Sequence, residues 1–153
     1  MNGPDISNLS MLAQLLVALG MVMLTTFIFG AGLVGISRRL GLERNLETQL
    51  CVDLGTVRGL MTVVVLILAI FLLHVVQISL YAALYFASHA LPTVAKCFFF
   101  SAITYGTIGY DDQGMPATWQ IVAAIEGLNG IILLGWSTAF VVTALSRISR
   151  HGG

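Results

Sequence analysis

Three long stretches almost free of charge decide most of what this chain can fold into. From Met11 to Ile36 there is no Asp, Glu, Lys or Arg; from Leu60 to Phe86 the strongly polar side chains are His74 and Gln77; from Trp119 to Ile148 the only acid is Glu126. Wound as a helix at about 1.5 Å per residue, each stretch exceeds the roughly 30 Å of a bilayer's hydrocarbon. A soluble domain could not carry this balance, because 58% of the 153 residues are hydrophobic, 9% are charged, and mean hydropathy is +0.95. An all-α integral membrane protein with three transmembrane helices is expected. The first stretch lacks a basic n-region and is longer than a signal peptide's apolar segment, so it is expected to span as well. A formal net charge of zero and the absence of a basic run exclude a nucleic-acid partner.

The material between the spans is of two kinds. Residues 37 to 59 form a polar block with Arg38, Arg39, Arg44, Arg58, Glu43, Glu47 and Asp53. Leu42, Leu46, Leu50 and Leu54 recur every fourth position there, as in an amphipathic helix on the membrane surface. It is a connector, or a surface that meets anionic membrane lipids through Arg38 and Arg39. The second interruption, Ser88 to Pro92, breaks a helix, and Pro92 is well placed to open another. Thr93 to Tyr105 would be a helix of about 20 Å, too short to cross, and so reads as re-entrant. Phe98, Phe99 and Phe100 would wedge it against its neighbours, and Lys96 near its start would snorkel to water or pair with Asp111 or Asp112.

Polar groups at membrane depth are candidates for function. His74 and Gln77 are three apart and share a helix face that must look toward protein. His74 is either interhelical hydrogen-bonding glue or a proton sensor, and Tyr81 and Tyr85 suit an interfacial aromatic belt. Glu126 must be paired, hydrogen-bonded or protonated. It is a functional carboxylate, or one that braces the short helix or a neighbouring subunit. Gly20, Gly30, Gly32 and Gly35, and later Gly130 and Gly135, allow close helix contact. Cys51 and Cys97 are isolated, lack metal-like spacing and read as apolar fillers. No nucleophile–base pair, metal cluster or phosphate loop is visible, so neither an enzyme, a cofactor nor a soluble small-molecule substrate is expected.

Between the short helix and the last span lies Thr107-Ile108-Gly109-Tyr110-Asp111-Asp112. Irregular backbone survives at membrane depth only where protein buries it or where it lines a watery path, since each unpaired N–H or C=O costs several kcal/mol in hydrocarbon. A threonine hydroxyl, a glycine able to take positive φ and an anchoring tyrosine can aim successive carbonyls at one axis. Here the chain resembles the selectivity filter of potassium channels, whose usual string is Thr-Val/Ile-Gly-Tyr-Gly-Asp. Thr107, Ile108, Gly109, Tyr110 and Asp112 fit it; Asp111 replaces the second glycine. Aspartate is among the few residues that visit positive φ at modest cost, but it would add four carboxylates at the filter mouth. Gly106 stands where many channels have a second threonine, and Ile103 where some carry a glutamate that braces the filter aspartate.

The resemblance covers roughly Leu60 to Ile148 and implies a pore module over residues 60–153. Its parts would be an outer helix 60–86, a re-entrant pore helix 93–105, a filter loop 107–112 and an inner helix 119–148. Residues 1–59 would be an N-terminal helix and cytoplasmic connector outside that module. Leu84-Tyr85-Phe86, and Glu126 through Trp136-Ser137-Thr138, have the flavour of compact prokaryotic channels. By resemblance, the chain is a homotetrameric cation channel that passes K⁺ passively. Carbonyls of Thr107, Ile108, Gly109 and Tyr110 and the Thr107 hydroxyl would replace the ion's hydration shell. Asp111 and Asp112 would line the mouth, Gly130 and Gly135 match inner-helix glycines of which the first often bends, and Glu126 and His74 would support the filter or its gating. The alternatives are a weakly selective cation channel and a non-conducting membrane subunit that keeps the channel fold. Arg38, Arg39, Arg44 and Arg58 between the first two spans, and Arg147 and Arg150 after the third, belong in the cytoplasm by the positive-inside rule. That orientation puts the N-terminus and filter outside the cell's inner membrane and the C-terminus in the cytoplasm.

Overall fold

The computed structural model describes residues 11–39, 57–109 and 114–149, which are helix, turn, bend or, at 108–109 and 115–116, irregular backbone, with no strand among them. Among the described residues, three helices are long and apolar enough to cross a membrane. They are α1 (Met11–Arg39), α2 (Val57–Ala87) and, after the short α3 (Val94–Tyr105) and a single 3₁₀ turn at Ala117–Trp119, α4 (Gln120–Ser149). The 12 residues of α3 reach only about 18 Å and cannot cross. The chain is an all-α, multi-pass membrane protein.

Element ends follow local chemistry. Residues 37–39 continue α1 instead of opening a connector, so Arg38 and Arg39 occupy its last turn, where cations meet the negative end of the helix dipole. The leucine repeat at Leu42, Leu46, Leu50 and Leu54, together with Cys51, lies outside the described residues. Pro92 does not open α3. Thr93 caps it with extended backbone (φ −138°, ψ 149°), and its Oγ1 accepts from the Lys96 amide at 3.3 Å. A threonine hydroxyl satisfies an orphan amide that proline cannot.

The short helix packs between α2 and α4, while α1 packs along both of those long helices. One apolar cluster, around Tyr81, Tyr85, Cys97, Trp119 and Val122, surrounds the start of α3. A second, around Phe29, Leu66, Ile70, Tyr105 and Leu133, lies at its end. Close approach falls where glycine permits it. A side chain at Gly32 would collide with Leu73 of α2, and one at Gly30 would press on Trp136 of α4. Gly20 and Gly35 face open space. Tyr81 and Tyr85 are wholly buried, which corrects their assignment to an interfacial belt. Of the three consecutive phenylalanines, Phe100 is the one packed inside the chain, edge-on to Tyr85; Phe98 and Phe99 are exposed on the single chain.

Candidate functional site

Two buried polar clusters grip α3 at two heights. At mid-helix, Ser101 faces Glu126 of α4 and Tyr85 of α2, and all three are fully buried. The Tyr85 hydroxyl donates to Glu126 Oε2 at 2.6 Å. The Ser101 hydroxyl reaches Glu126 Oε1 and also the Ile78 carbonyl at 3.0 Å, and its single hydrogen serves one of them at a time. Glu126 therefore ties the outer helix, the short helix and the inner helix together from inside one chain. It has no exposed atom to offer an ion's path.

At the C-terminal end of α3 the gripping residue is Tyr105. Its hydroxyl lies 2.9 Å from His74 Nδ1, and the other ring nitrogen of His74 is 3.2 Å from Ser137 Oγ. The Ser137 hydroxyl already donates to the Leu134 carbonyl at 2.8 Å. Ser137 must therefore accept from Nε2–H, which leaves Nδ1 as the acceptor for the Tyr105 hydroxyl. From the other side Gly130 lets α4 touch the Tyr105 backbone: a Cβ there would lie 2.2 Å from the Tyr105 carbonyl oxygen. Asn129, the next residue in α4, donates to Thr25 Oγ1 of α1 at 2.9 Å and to the Tyr81 hydroxyl at 3.4 Å. Gln77, on the same α2 face as His74, is buried and its amide makes no hydrogen bond among the described residues.

Beyond Tyr105 the chain leaves the helix through a backbone cap. Gly106 is the C-cap residue, Thr107 turns to φ +59°, and the Thr107 and Ile108 amides return to the Thr104 and Ile103 carbonyls at 3.0 and 2.8 Å. This is the Schellman arrangement, which usually places glycine at the left-handed position. The Gly109 amide shares the Ile103 carbonyl at 3.1 Å, and Gly109 itself has φ +56°. Gly106, Thr107, Ile108 and Gly109 are all exposed on the single chain. Tyr110, Asp111 and Asp112 lie outside the described residues. Ile103, at the position where some of the resembled channels carry a bracing glutamate, is buried, and its carbonyl carries the turn.

Of the residues singled out from sequence, His74, Glu126 and Gly130 converge on α3. Gly135 does not: nothing lies within 4 Å of a side chain built there. Thr25, Ser101, Tyr105, Asn129 and Ser137 complete the clusters and were missed. A signal for some of them lies in spacing: Ser101 and Tyr105 are four apart on α3, and Asn129 follows Glu126 by three on α4, so each pair shares one helix face. Cys97 is buried and its thiol points at the Leu91 carbonyl, 3.8 Å away.

A non-spanning helix clamped between two spanning ones, handing an exposed irregular turn to whatever lies beyond, defines a pore-loop membrane protein. The ion-channel family model matches residues 60–147, more than half of the chain, and the chain belongs to that family, in its two-helix, potassium-channel type of pore domain. No curated protein and no solved structure matches it. The helix α1 precedes the matched region.

Proposed function

We propose that four copies of this chain surround one axis and conduct K⁺ passively through backbone oxygens of Thr107, Ile108, Gly109 and Tyr110, with the Thr107 hydroxyl as the innermost ligand. One chain supplies one strand of oxygens, and a dehydrated cation needs a closed cage. The observation that carries this proposal is the exposed, irregular turn at Thr107–Gly109, delivered directly off the C-terminal end of α3. The carbonyl end of a helix is its negative end and favours a cation there. Burial would be the alternative for such backbone in a membrane. In a tetramer the turn faces the axis instead.

Glu126 and His74 act as supports of the filter, because both are bonded to α3 and neither is exposed. Gly130 serves contact with Tyr105, which leaves bending of α4 to Gly135. The positive-inside rule supports a topology in a cell membrane with the connector and C-terminus in the cytoplasm and the N-terminus and Asp111–Asp112 mouth outside. Asp111 in place of glycine favours a second reading, a weakly selective cation channel.

Flux of labelled potassium or rubidium into liposomes containing the purified chain tests these readings. Uptake that prefers potassium over sodium supports the first, equal uptake the second, and no uptake leaves a non-conducting assembly subunit. Restoring the usual backbone with Asp111→Gly is expected to raise the potassium-to-sodium ratio. An unchanged ratio would count against Asp111 belonging to the filter.

A further inference from the structure

Helix α1 lies outside the region that the family model matches, yet two of its side chains reach the residues that hold the end of α3. Thr25 and Phe29 are one turn apart on the same face of α1, and both are fully buried. Phe29 lies against His74, ring centroids 5.0 Å apart, and against Trp136 at 5.9 Å. His74 in turn holds the Tyr105 hydroxyl. Thr25 accepts from Asn129, whose neighbour Gly130 receives the Tyr105 carbonyl. The Thr25 hydroxyl donates to the Met21 carbonyl at 2.7 Å, so its remaining capacity is to accept, which matches the Asn129 amide. Two arms from α1 therefore meet at one residue, one through the side chain of Tyr105 and one through its backbone. Tyr105 stands two residues before Thr107.

Simple anchoring of α1 needs only apolar contact, and the exposed face of α1 offers that to lipid without any polar partner. What α1 contributes instead is an oxygen that accepts from the Asn129 amide of α4 and a ring against His74 of α2. We propose that Thr25 and Phe29 are positioning residues for the filter: the first helix fixes where the end of α3 sits, and so sets ion selectivity. This rests on the proposed cation conduction through Thr107–Tyr110.

The test uses the full chain, with Thr25→Val, Thr25→Ser and Phe29→Leu, and with Phe27→Leu as a control on the exposed face of α1, where Phe27 is 76% exposed. Two quantities are read: the potassium-to-sodium flux ratio per inserted protein in liposomes, and hydrogen exchange at the Ile108 and Gly109 amides, which bond to Ile103. Thr25→Val and Phe29→Leu are expected to change the flux ratio by about threefold or more and to speed exchange at those amides by a similar factor. Thr25→Ser, which keeps the oxygen, and Phe27→Leu are expected to match the unaltered chain. If Phe29→Leu does not insert, the milder Thr25→Val pair decides. Unchanged ratio and exchange in inserted Thr25→Val overturn the proposal, as does loss of insertion shared by Thr25→Val and Thr25→Ser. Should the unaltered chain pass no cation, the conduction reading fails, while faster exchange in the variants still supports the positioning and unchanged exchange still overturns it.

Discussion

At the end of α2 the amides of His89 and Ala90 turn back to the carbonyls of Phe86 and Tyr85 at 3.1 and 3.0 Å, and His89 takes φ +54°. At the end of α3 the amides of Thr107 and Ile108 turn back to Thr104 and Ile103 at 3.0 and 2.8 Å, and Thr107 takes φ +59°. The backbone solution is the same in both places, with a residue other than glycine at the left-handed position. The residues differ in what that costs. Histidine is among the side chains enriched in this region, whereas a β-branched residue there is a genuine outlier. Strain of this kind persists only where surrounding structure over-determines it. Around α3 the determinants are visible: Gly130 under the Tyr105 carbonyl, His74 on the Tyr105 hydroxyl, and Glu126 on Ser101. Thr107 is a costly choice for a cap, and under the proposed conduction an apt one, since its hydroxyl would join the carbonyls as an ion ligand.

The contrast can be broken most severely at Gly130. A methyl group there would sit 2.2 Å from the Tyr105 carbonyl oxygen and 3.0 Å from its carbon, and both are backbone atoms that cannot rotate away. Gly130→Ala must push α4 off α3, at about 1–3 kcal/mol or more, and is expected to abolish flux. Gly135→Ala, which meets nothing within 4 Å, is expected to leave stability unchanged or to raise it by up to about 1 kcal/mol, so any loss of flux there comes from the bend of α4 and not from the seat of α3. Thermal unfolding in detergent, read beside liposome flux, separates the two. Equal behaviour of both variants would show that the contact at Tyr105 does not hold the end of α3.

A smaller effect is expected from Tyr105→Phe, which keeps the ring beside His74 and removes only the hydroxyl. Hydrogen bonds between membrane helices are worth roughly 0.6–1.7 kcal/mol, so a loss of about 1 kcal/mol in stability is expected. The more telling measurement is the potassium-to-sodium ratio, expected to fall while the amount of inserted protein stays constant. An unaltered ratio would leave Gly130 and Glu126 as sufficient support for the turn.

Much of this arrangement was legible before any coordinates, and the legible part has a physical reason. Spans announce themselves because a bilayer demands an unbroken apolar run, and the short helix because it is too short for one. The inward face of α2 was also written in the chain: His74, Gln77, Tyr81 and Tyr85 follow one another at intervals of three and four. Tyrosine near a helix end suits an interfacial belt equally well, and only the register that Tyr81 and Tyr85 share with His74 decides between the two roles. The pairing of His74 with Tyr105, and of Thr25 with Asn129, was not legible, because it depends on the angles at which helices cross. Nor could the two uses of glycine in α4 be told apart. Gly130 and Gly135 look alike until the Tyr105 carbonyl appears beside one of them.

The finest comparison exchanges the two left-handed residues for glycine. At His89 the change removes a modest conformational penalty and adds glycine's loss of backbone freedom on folding, roughly 0.5–1 kcal/mol, so stability should move by less than about 1 kcal/mol. His89 is exposed on the described chain, so flux should be unaltered. Thr107→Gly relieves a larger penalty, about 1–2 kcal/mol for an L-residue in this region and more for a β-branched one, so the folded chain should become the more stable of the two variants. Its hydroxyl is lost at the same time, and potassium flux should fall. A variant that is more stable and less conductive would mark Thr107 as a position held against its own backbone preference for the sake of the ion. If instead both glycine variants conduct like the unaltered chain, the hydroxyl is not a ligand, and the left-handed turn at α3 is no more than a second copy of the cap at α2.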